Sequence, residues 1–281
     1  MVTLPNSIEE ALDQAKTATT AALKDGLHRL QVEILIPELK VQDPAHQFIP
    51  IFEEYGSHLK VYFPDPGAAA LARRDWGETP YVVRGMTEPK GKIQPDDRLF
   101  FFIEPSAVEV NDLEKMCEQA GDRPVVLFIP KLESITTIGI GYAARQLRER
   151  FISTFESCYY IRPLEGAALF RCYPNPWQVW LEKEEGYELI SETTQKPVGE
   201  VLEEILQKAT SPSVDQTEAT PVATPQRKKP GLLTNLQRFL RALSQWSRHN
   251  KNMSAIQVLN FSRISWDAVV KLLVQLPMMA I

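Results

Sequence analysis

Four short apolar runs, each ended by a proline, constrain the fold of this 281-residue chain most strongly. They read VEILIP up to Pro37, VYFP up to Pro64, FFFIEP up to Pro105 and VVLFIP up to Pro130. Proline has no N–H to donate inside a central strand, but it ends a strand cleanly when it stands just past the last paired residue. The four runs therefore predict core strands whose carboxyl ends are marked by the prolines.

Helix start signals lie before and between these runs. Ser7 and Glu10 have the S-x-x-E spacing of a capping box. Ser106 and Glu109 repeat that spacing, and Asp65 before a proline is typical of an N-cap. Strands that alternate with helices imply right-handed crossovers and a mainly parallel sheet. The sequence therefore predicts an α/β fold, with a mainly parallel, Rossmann-like sheet and helices on both faces.

The pattern changes after a helix that we predict from Tyr142 to about Glu156. Short strands separated by PLEG and EKEEG indicate hairpins, and alternation predicts that Trp177, Val179 and Leu181 share one face. We therefore expect a C-terminal antiparallel meander that extends one edge of the sheet.

Three cysteines, Cys117, Cys158 and Cys172, are too few and too scattered for a disulfide framework or a C-x-x-C zinc site, so a reducing compartment is expected. A hairpin turn through PLEG would pair Arg162 roughly with Ala167. In that register Cys158 and Cys172 point to opposite faces, and we expect no disulfide between them.

The end of the chain differs in composition from the rest. After a helix predicted over VGEVLEEILQKA, residues 209–230 are dotted with proline and poor in large apolar residues. Such a segment cannot bury enough surface to offset the entropy of ordering. We therefore divide the chain into an α/β domain over residues 1–208, a disordered linker over 209–230 and a basic amphipathic helical tail over 231–281.

The net charge of −5 hides an asymmetry. Residues 1–208 carry 22 Lys and Arg against 33 Asp and Glu, whereas residues 209–281 carry nine against three. An acidic body argues against nucleic acid as a partner, while the basic tail can meet phosphate, anionic lipid or the body itself. No apolar run approaches the ~20 residues that span a bilayer, and the first residues lack the features of a signal peptide.

Gly139, Gly141 and Ala144 fit the G-x-G-x-x-A pattern of a dinucleotide pyrophosphate cradle. In dinucleotide folds the glycine turn follows its strand at once, but here the strand ends at Pro130 and the nine residues KLESITTIG lead to Gly139. The spacing favours glycines that only let a loop begin a helix. A looser anion site at this helix N-terminus, formed by Gly139, Gly141 and Arg145, is the alternative.

A second candidate site lies at the predicted strand ends. Open parallel sheets bind ligands outside the carboxyl ends of their strands, and Asp65, Gly67, Glu104 and Lys131 lie at or just past the ends of three of the runs. The alternative is that Asp65 is only an N-cap and Lys131 only a solvated loop residue. No histidine has a partner at metal or triad spacing, and no nucleophile elbow or P-loop occurs. We therefore predict no catalytic residues, no metal site and no cofactor, and we lean away from an enzyme.

Five stretches between about Leu4 and Lys208 can be compared with known families. They are LPNSIEEALDQAKTATTAALKDGLHRLQVEILIPEL, VYFPDPGAAALARRDW, DRPVVLFIPKLE, GIGYAARQLRERFISTFESCYYIRPL and ALFRCYPNPWQVWLE. Taken together, these stretches resemble one family, the domain of unknown function DUF1995 of cyanobacteria and plastids. That domain occurs in chloroplast Low PSII Accumulation assembly factors and beside a plastid adenylate kinase.

This resemblance implies a cyanobacterial or plastid protein that is cytoplasmic or peripheral to the thylakoid membrane, with a protein partner in photosynthetic complex assembly. It carries no catalytic residues. We therefore expect a non-catalytic binding protein similar to a photosystem II assembly factor. Because the family also occurs beside a kinase, the alternative is a nucleotide- or phosphate-binding enzyme that uses the crevice at the strand carboxyl ends.

The tail has the pattern of a helix that lies on an anionic surface. No acidic residue interrupts residues 227–251, which hold seven Lys and Arg, and apolar residues recur there at helical spacing. The apolar face would enter the headgroup boundary, where each nearby basic residue adds ~1 kcal/mol. The alternative is a helical hairpin that docks on the acidic body or on another copy. The residues predicted to contact the membrane are Leu236, Arg238, Phe239, Leu240, Arg241, Leu243 and Trp246.

Liposome flotation tests this prediction for the tail. The full chain should float with phosphatidylglycerol vesicles, and binding should weaken as salt screens the basic residues. Truncation after Ala209 should abolish flotation. Equal flotation of both proteins, or none for either at low salt, would leave only the docking alternative.

Overall fold

The computed structural model describes residues 2–132 and 142–210 of the chain. Gly139, Gly141, residues 211–230 of the predicted linker and the tail lie outside the described residues. The anion site, the domain boundaries and the membrane-contact residues Leu236, Arg238, Phe239, Leu240, Arg241, Leu243 and Trp246 therefore stay predictions.

One mixed sheet organises the described residues. Its strands are β1 (Arg29–Ile34), β2 (Leu59–Phe63), β3 (Val82–Gly85), β4 (Leu99–Ile103), β5 (Val125–Phe128), β6 (Glu156–Leu164), β7 (Ala167–Cys172), β8 (Trp177–Lys183) and β9 (Gly186–Thr193). The strand order is β3-β2-β4-β5-β1-β6-β7-β8-β9, parallel from β3 to β6 and antiparallel beyond. The predicted α/β fold with a C-terminal antiparallel meander is confirmed.

Helices cover both faces of this sheet. Val126 and Phe128 of β5 belong to one apolar cluster and Val125 and Leu127 to another, so the strand is buried on both sides. The first cluster includes α1 (Ile8–Lys24), α2 (Gln42–Phe48) and α3 (Pro66–Trp76). The opposite face carries α4 (Val110–Ala120), α5 (Tyr142–Arg150) and α6 (Glu200–Thr210).

The four proline-ended runs form β1, β2, β4 and β5, which confirms the prediction from them. The strand β3 was not predicted, because its four residues VVRG carry no proline and include an arginine. This strand lies at the edge of the sheet and only alternate residues are buried, because it packs against a single neighbour. Its apolar signal is correspondingly weak.

Two of the three predicted helix starts are confirmed. Ser7 caps α1 by accepting from the Glu10 N–H, although the Glu10 carboxylate reaches Asn6 rather than Ser7. Asp65 caps α3. The Ser106 pattern is a turn before the helix, because its side chain binds the Glu109 carboxylate and α4 begins only after that residue.

The helix α5 ends at Arg150 and not near Glu156, because Glu156 already begins β6. A 3-10 turn over Ile152–Thr154 joins the two elements. Leu147 and Phe151 are buried in the cluster that also holds α4.

The antiparallel meander was predicted correctly, but the predicted strand register of its first hairpin is wrong. Leu164 pairs with Ala167 around a two-residue turn whose Gly166 has φ 67°, so Arg162 faces Leu169 rather than Ala167. The second prediction from this region is confirmed, because Trp177, Val179 and Leu181 are all buried and lie at alternate positions.

The cysteine geometry was also predicted wrongly. Cys158 is an extra residue in the β1–β6 ladder, since Gln31 pairs with Ser157 and the next residue of β1 pairs with Tyr159. The bulge turns Cys158 toward α1, where its Sγ lies 3.4 Å from the Thr19 hydroxyl. Cys172 also lies near α1, its Sγ 4.0 Å from the Gln14 carbonyl oxygen. Both cysteines therefore lie on the same face of the sheet, as free thiols.

Gly85, the last residue of β3, touches the beginning of α3. A Cβ there would lie 2.6 Å from the Pro66 nitrogen and 2.8 Å from the Asp65 carbonyl carbon. Because the obstructing atoms are backbone, we expect Gly85→Ala to lower the free energy of unfolding by about 3 kcal/mol, as measured by urea denaturation.

Gly26→Ala is the matched control for this substitution. Gly26 has φ 83° but no atom within 4 Å of the position that an alanine Cβ would take, so only its left-handed backbone resists alanine. We expect a loss of about 1 kcal/mol. A loss at Gly85 no larger than at Gly26 would show that β3 and α3 separate easily.

Candidate functional site

The carboxyl ends of β2 and β4 form a topological switch point. From β2 the chain continues through α3 to β3, and from β4 it continues through α4 to β5, which lies on the other side. The two helices cover opposite faces of the sheet. Open α/β sheets bind ligands in the crevice at such a point. Asp65 and Gly67 follow β2, Glu104 follows β4 and Lys131 follows β5, so all four stand at this end of the sheet.

Asp65 uses its carboxylate within its own helix. Its Oδ1 accepts hydrogen bonds from the Gly67 N–H at 2.7 Å and the Ala68 N–H at 3.0 Å. These are two of the four N–H groups that a helix start leaves without an intrahelical partner. Gly67 keeps its place beside the carboxylate because a Cβ would lie 2.9 Å from Oδ1. The prediction that Asp65 is the N-cap of α3 is therefore confirmed.

Glu104 and Lys131 are brought together as an ion pair across the ends of β4 and β5. The backbone fixes them, because the Glu104 N–H donates to the Phe128 carbonyl at 2.8 Å and the Lys131 N–H donates to the Pro105 carbonyl at 2.8 Å. The Lys131 side chain is mostly exposed and that of Glu104 partly so. The structure thus places one charge pair at the mouth of the predicted crevice.

Two residues at the carboxyl ends of β4 and β5, which form the rim of the predicted crevice, have a left-handed backbone. Glu104 has φ 53° and Ile129 has φ 50°, and each precedes a proline at the end of its strand. A β-branched residue in this region is an outlier, and such residues cost of order 1–3 kcal/mol each. Sequence reasoning missed Ile129, because a residue before proline is normally extended. Strained residues of this kind concentrate at functional sites.

Only one residue of the predicted anion site lies among the described residues. Arg145 lies on α5 with an exposed side chain. Gly139 and Gly141 lie outside the described residues, so the association of the three stays a prediction.

A cavity of about 210 Å³ lies beside the segment that follows β3. It opens between α4 and residues 86–93, the segment that follows β3, and none of Asp65, Gly67, Glu104 and Lys131 lines it. Sequence reasoning did not find it, because its walls come from segments that no motif connects.

The sequence profile described as "Domain of unknown function (DUF1995)" matches residues 5–204. The chain belongs to this family. The matched range agrees with the resemblance from Leu4 to Lys208 and ends within α6. No solved structure matches the chain. A family description without an activity names no reaction, so the chemistry of the DUF1995 domain has to be argued from its residues.

The thiols of the DUF1995 domain are poorly suited to nucleophilic chemistry. Burial raises the pKa of Cys117 and of Cys158 to about 12, and that of Cys172 to about 11. The thiolate is the reactive form, so all three side chains stay protonated near neutral pH. Across residues 2–132 and 142–210, no group of three or more His, Cys, Asp or Glu side chains has an arrangement that could hold a metal ion. In the same ranges no helix is long and apolar enough to cross a membrane.

The buried glutamate Glu33, on the central strand β1, was also not predicted from the sequence. Glu33 of β1 is only 5% exposed and accepts a hydrogen bond from the Ser157 hydroxyl. The Lys196 Nζ lies 3.9 Å from its Oε1 and 4.0 Å from the centre of the Tyr160 ring. The only signal in the sequence is the glutamate inside the apolar run VEILIP. This cluster ties the middle of the sheet to the segment that leads into α6.

Proposed function

We propose that this DUF1995 protein is a non-catalytic binding protein that assists the assembly of a photosynthetic membrane complex, as a photosystem II assembly factor does. In this proposal the body holds a protein partner and the basic tail contacts anionic thylakoid lipid. One observation carries the choice of binding over catalysis: the acidic side chains at the switch point are engaged by the protein itself. Asp65 caps α3 and Glu104 pairs with Lys131.

Catalysis by general acid and base needs groups whose proton affinity and position are free to serve a substrate. The Asp65 carboxylate already accepts two N–H groups. The buried thiols have raised pKa values and remain protonated. Within the described residues, these arrangements stabilise the fold, which supports the proposed binding role.

Exposed apolar side chains at the start of α6 offer a surface for the protein partner. Val198 is 61% and Val201 is 55% exposed, although Leu202, Ile205 and Leu206 of the same segment pack on the sheet. Contiguous exposed apolar patches mark protein interaction sites, and Val198 and Val201 stand only three positions apart in the chain. We therefore place the protein contact at this end of the domain.

Affinity isolation from the native cell tests the proposal. The tagged full chain should retain subunits of a photosynthetic membrane complex, identified by mass spectrometry. Val198→Asp and Val201→Asp should each lower that yield several-fold, because a charge would lose its hydration at the interface. Val108→Asp is the matched control, since Val108 is 85% exposed in the turn before α4 and lies in a different segment.

The isolation contradicts the proposal if the full chain retains no subunit of such a complex. Equal yields from the three variants and the unaltered chain would instead exclude the start of α6 as the contact. Circular dichroism of each variant checks that the fold is unchanged.

The second candidate function is nucleotide or phosphate binding at the switch point. It is favoured by one observation, the left-handed backbone of Glu104 and Ile129 at adjacent strand ends. In this alternative a phosphate meets Lys131 and the predicted site at Gly141 and Arg145.

A thermal-shift panel with ATP, NAD and related compounds at millimolar concentration separates the two functions. A ligand that binds only the folded state raises the melting temperature by mass action. We expect no shift, because the binding role needs no nucleotide. A saturable rise that Gly141→Val or Lys131→Ala abolishes would establish the second function instead.

A further inference from the structure

The cavity beside α4 has an apolar floor made largely of methionine. Met86 and Met116 are each 8% exposed, and Ile93 packs beside them in the same cluster. Methionine has a flexible, polarisable thioether that makes favourable contacts with aromatic rings. Two such side chains in one cavity favour a flat aromatic occupant over a branched aliphatic one.

Hydrogen bonds within the protein hold the walls of the cavity in place. The Tyr62 hydroxyl donates to the Gly91 carbonyl at 2.7 Å, and burial raises the pKa of Tyr62, so this donor stays protonated. Glu88 accepts from the Gly85 N–H and from Arg73, each at 3.2 Å. The segment over residues 86–93 is therefore fixed to the sheet and to α3, and the cavity is preformed.

The mouth of the cavity holds two lysines and two acidic side chains, and both acids are engaged by cations. Lys92 and Lys115 are exposed at its rim. Glu88 is neutralised by Arg73 at 3.2 Å, and Asp112 pairs with Lys115 at 3.5 Å. Within the described ranges Lys92 forms no ion pair. A ligand with a negative end would therefore find an available cation beside the apolar floor.

The volume limits the size of the ligand. At about 210 Å³ the cavity is smaller than the ~300–1,000 Å³ typical of sites for drug-sized molecules. It is larger than the ~150 Å³ that suffices for benzene. One ring with a short side chain fits this range, whereas a nucleotide does not.

We infer that this cavity binds a small aromatic carboxylate. The ring lies between Met86 and Met116, and the carboxylate lies at the mouth beside Lys92. This site is separate from the crevice at the strand ends and does not depend on the proposed assembly function.

Methionine methyl NMR on the full chain tests the inference. The protein has six methionines, of which Met86 and Met116 line the cavity. Titration with 3-phenylpropionate should shift these two methyl resonances saturably through the ring current and leave the other four in place. Met86→Leu and Met116→Leu assign the two signals. The alcohol 3-phenylpropanol has the same ring and no charge, and should bind about two- to five-fold more weakly, as expected for an exposed ion pair.

Two lysine variants test the role of charge. Lys92→Gln should remove the preference for the acid over the alcohol. Lys90→Gln should retain it, because Lys90 lies on the adjacent 3-10 turn but does not line the cavity. The inference is wrong if neither compound shifts Met86 and Met116 saturably, if acid and alcohol bind the unaltered chain equally, or if both variants lose the preference alike.

Discussion

Burial of the central parallel strands on both faces is the constraint on which this structure depends. All five residues of β4 are buried, with Phe101 in one apolar cluster and Phe100 and Phe102 in the other. Parallel sheets require such cover, since their crossover helices pack on the two faces. The polar ends of these central strands are then the places where they meet solvent. The candidate crevice therefore lies at the strand ends because helices cover both faces of the central strands.

The sequence predicted what is encoded locally and failed where distant segments meet. The prolines after β2 and β4 and the Asp65 cap depend on neighbouring residues, so their patterns are visible in the chain. The bulge at Cys158 depends on a pairing with β1, more than a hundred positions away, and no local signal marks it. The cavity beside α4 has the same origin. At Glu104 and Ile129 the local rule predicts extended backbone, and the sheet overrides it.

The strain at the crevice rim is not explained by the charge pair beside it. An exposed pair such as Glu104 with Lys131 contributes roughly 0–1 kcal/mol, whereas each left-handed residue costs of order 1–3 kcal/mol. The conformation is instead held by the buried ladder, because the Ile129 N–H donates to the Val32 carbonyl at 2.7 Å and the Glu104 N–H donates to Phe128. The rim is thus a rigid consequence of strand pairing, and its shape does not require a bound ligand.

The buried Glu33 explains how α6 is positioned at the far end of the domain. Apolar contacts alone place Leu202, Ile205 and Leu206 on the sheet, and such contacts are non-directional. A carboxylate that is 5% exposed must instead be satisfied by specific donors, since an uncompensated buried charge costs several kcal/mol. Ser157 and Lys196 meet this requirement, and Lys196 also lies over the Tyr160 ring. Because Lys196 stands just before Val198 and Val201, the charge at the centre of the sheet fixes where the exposed valines are displayed.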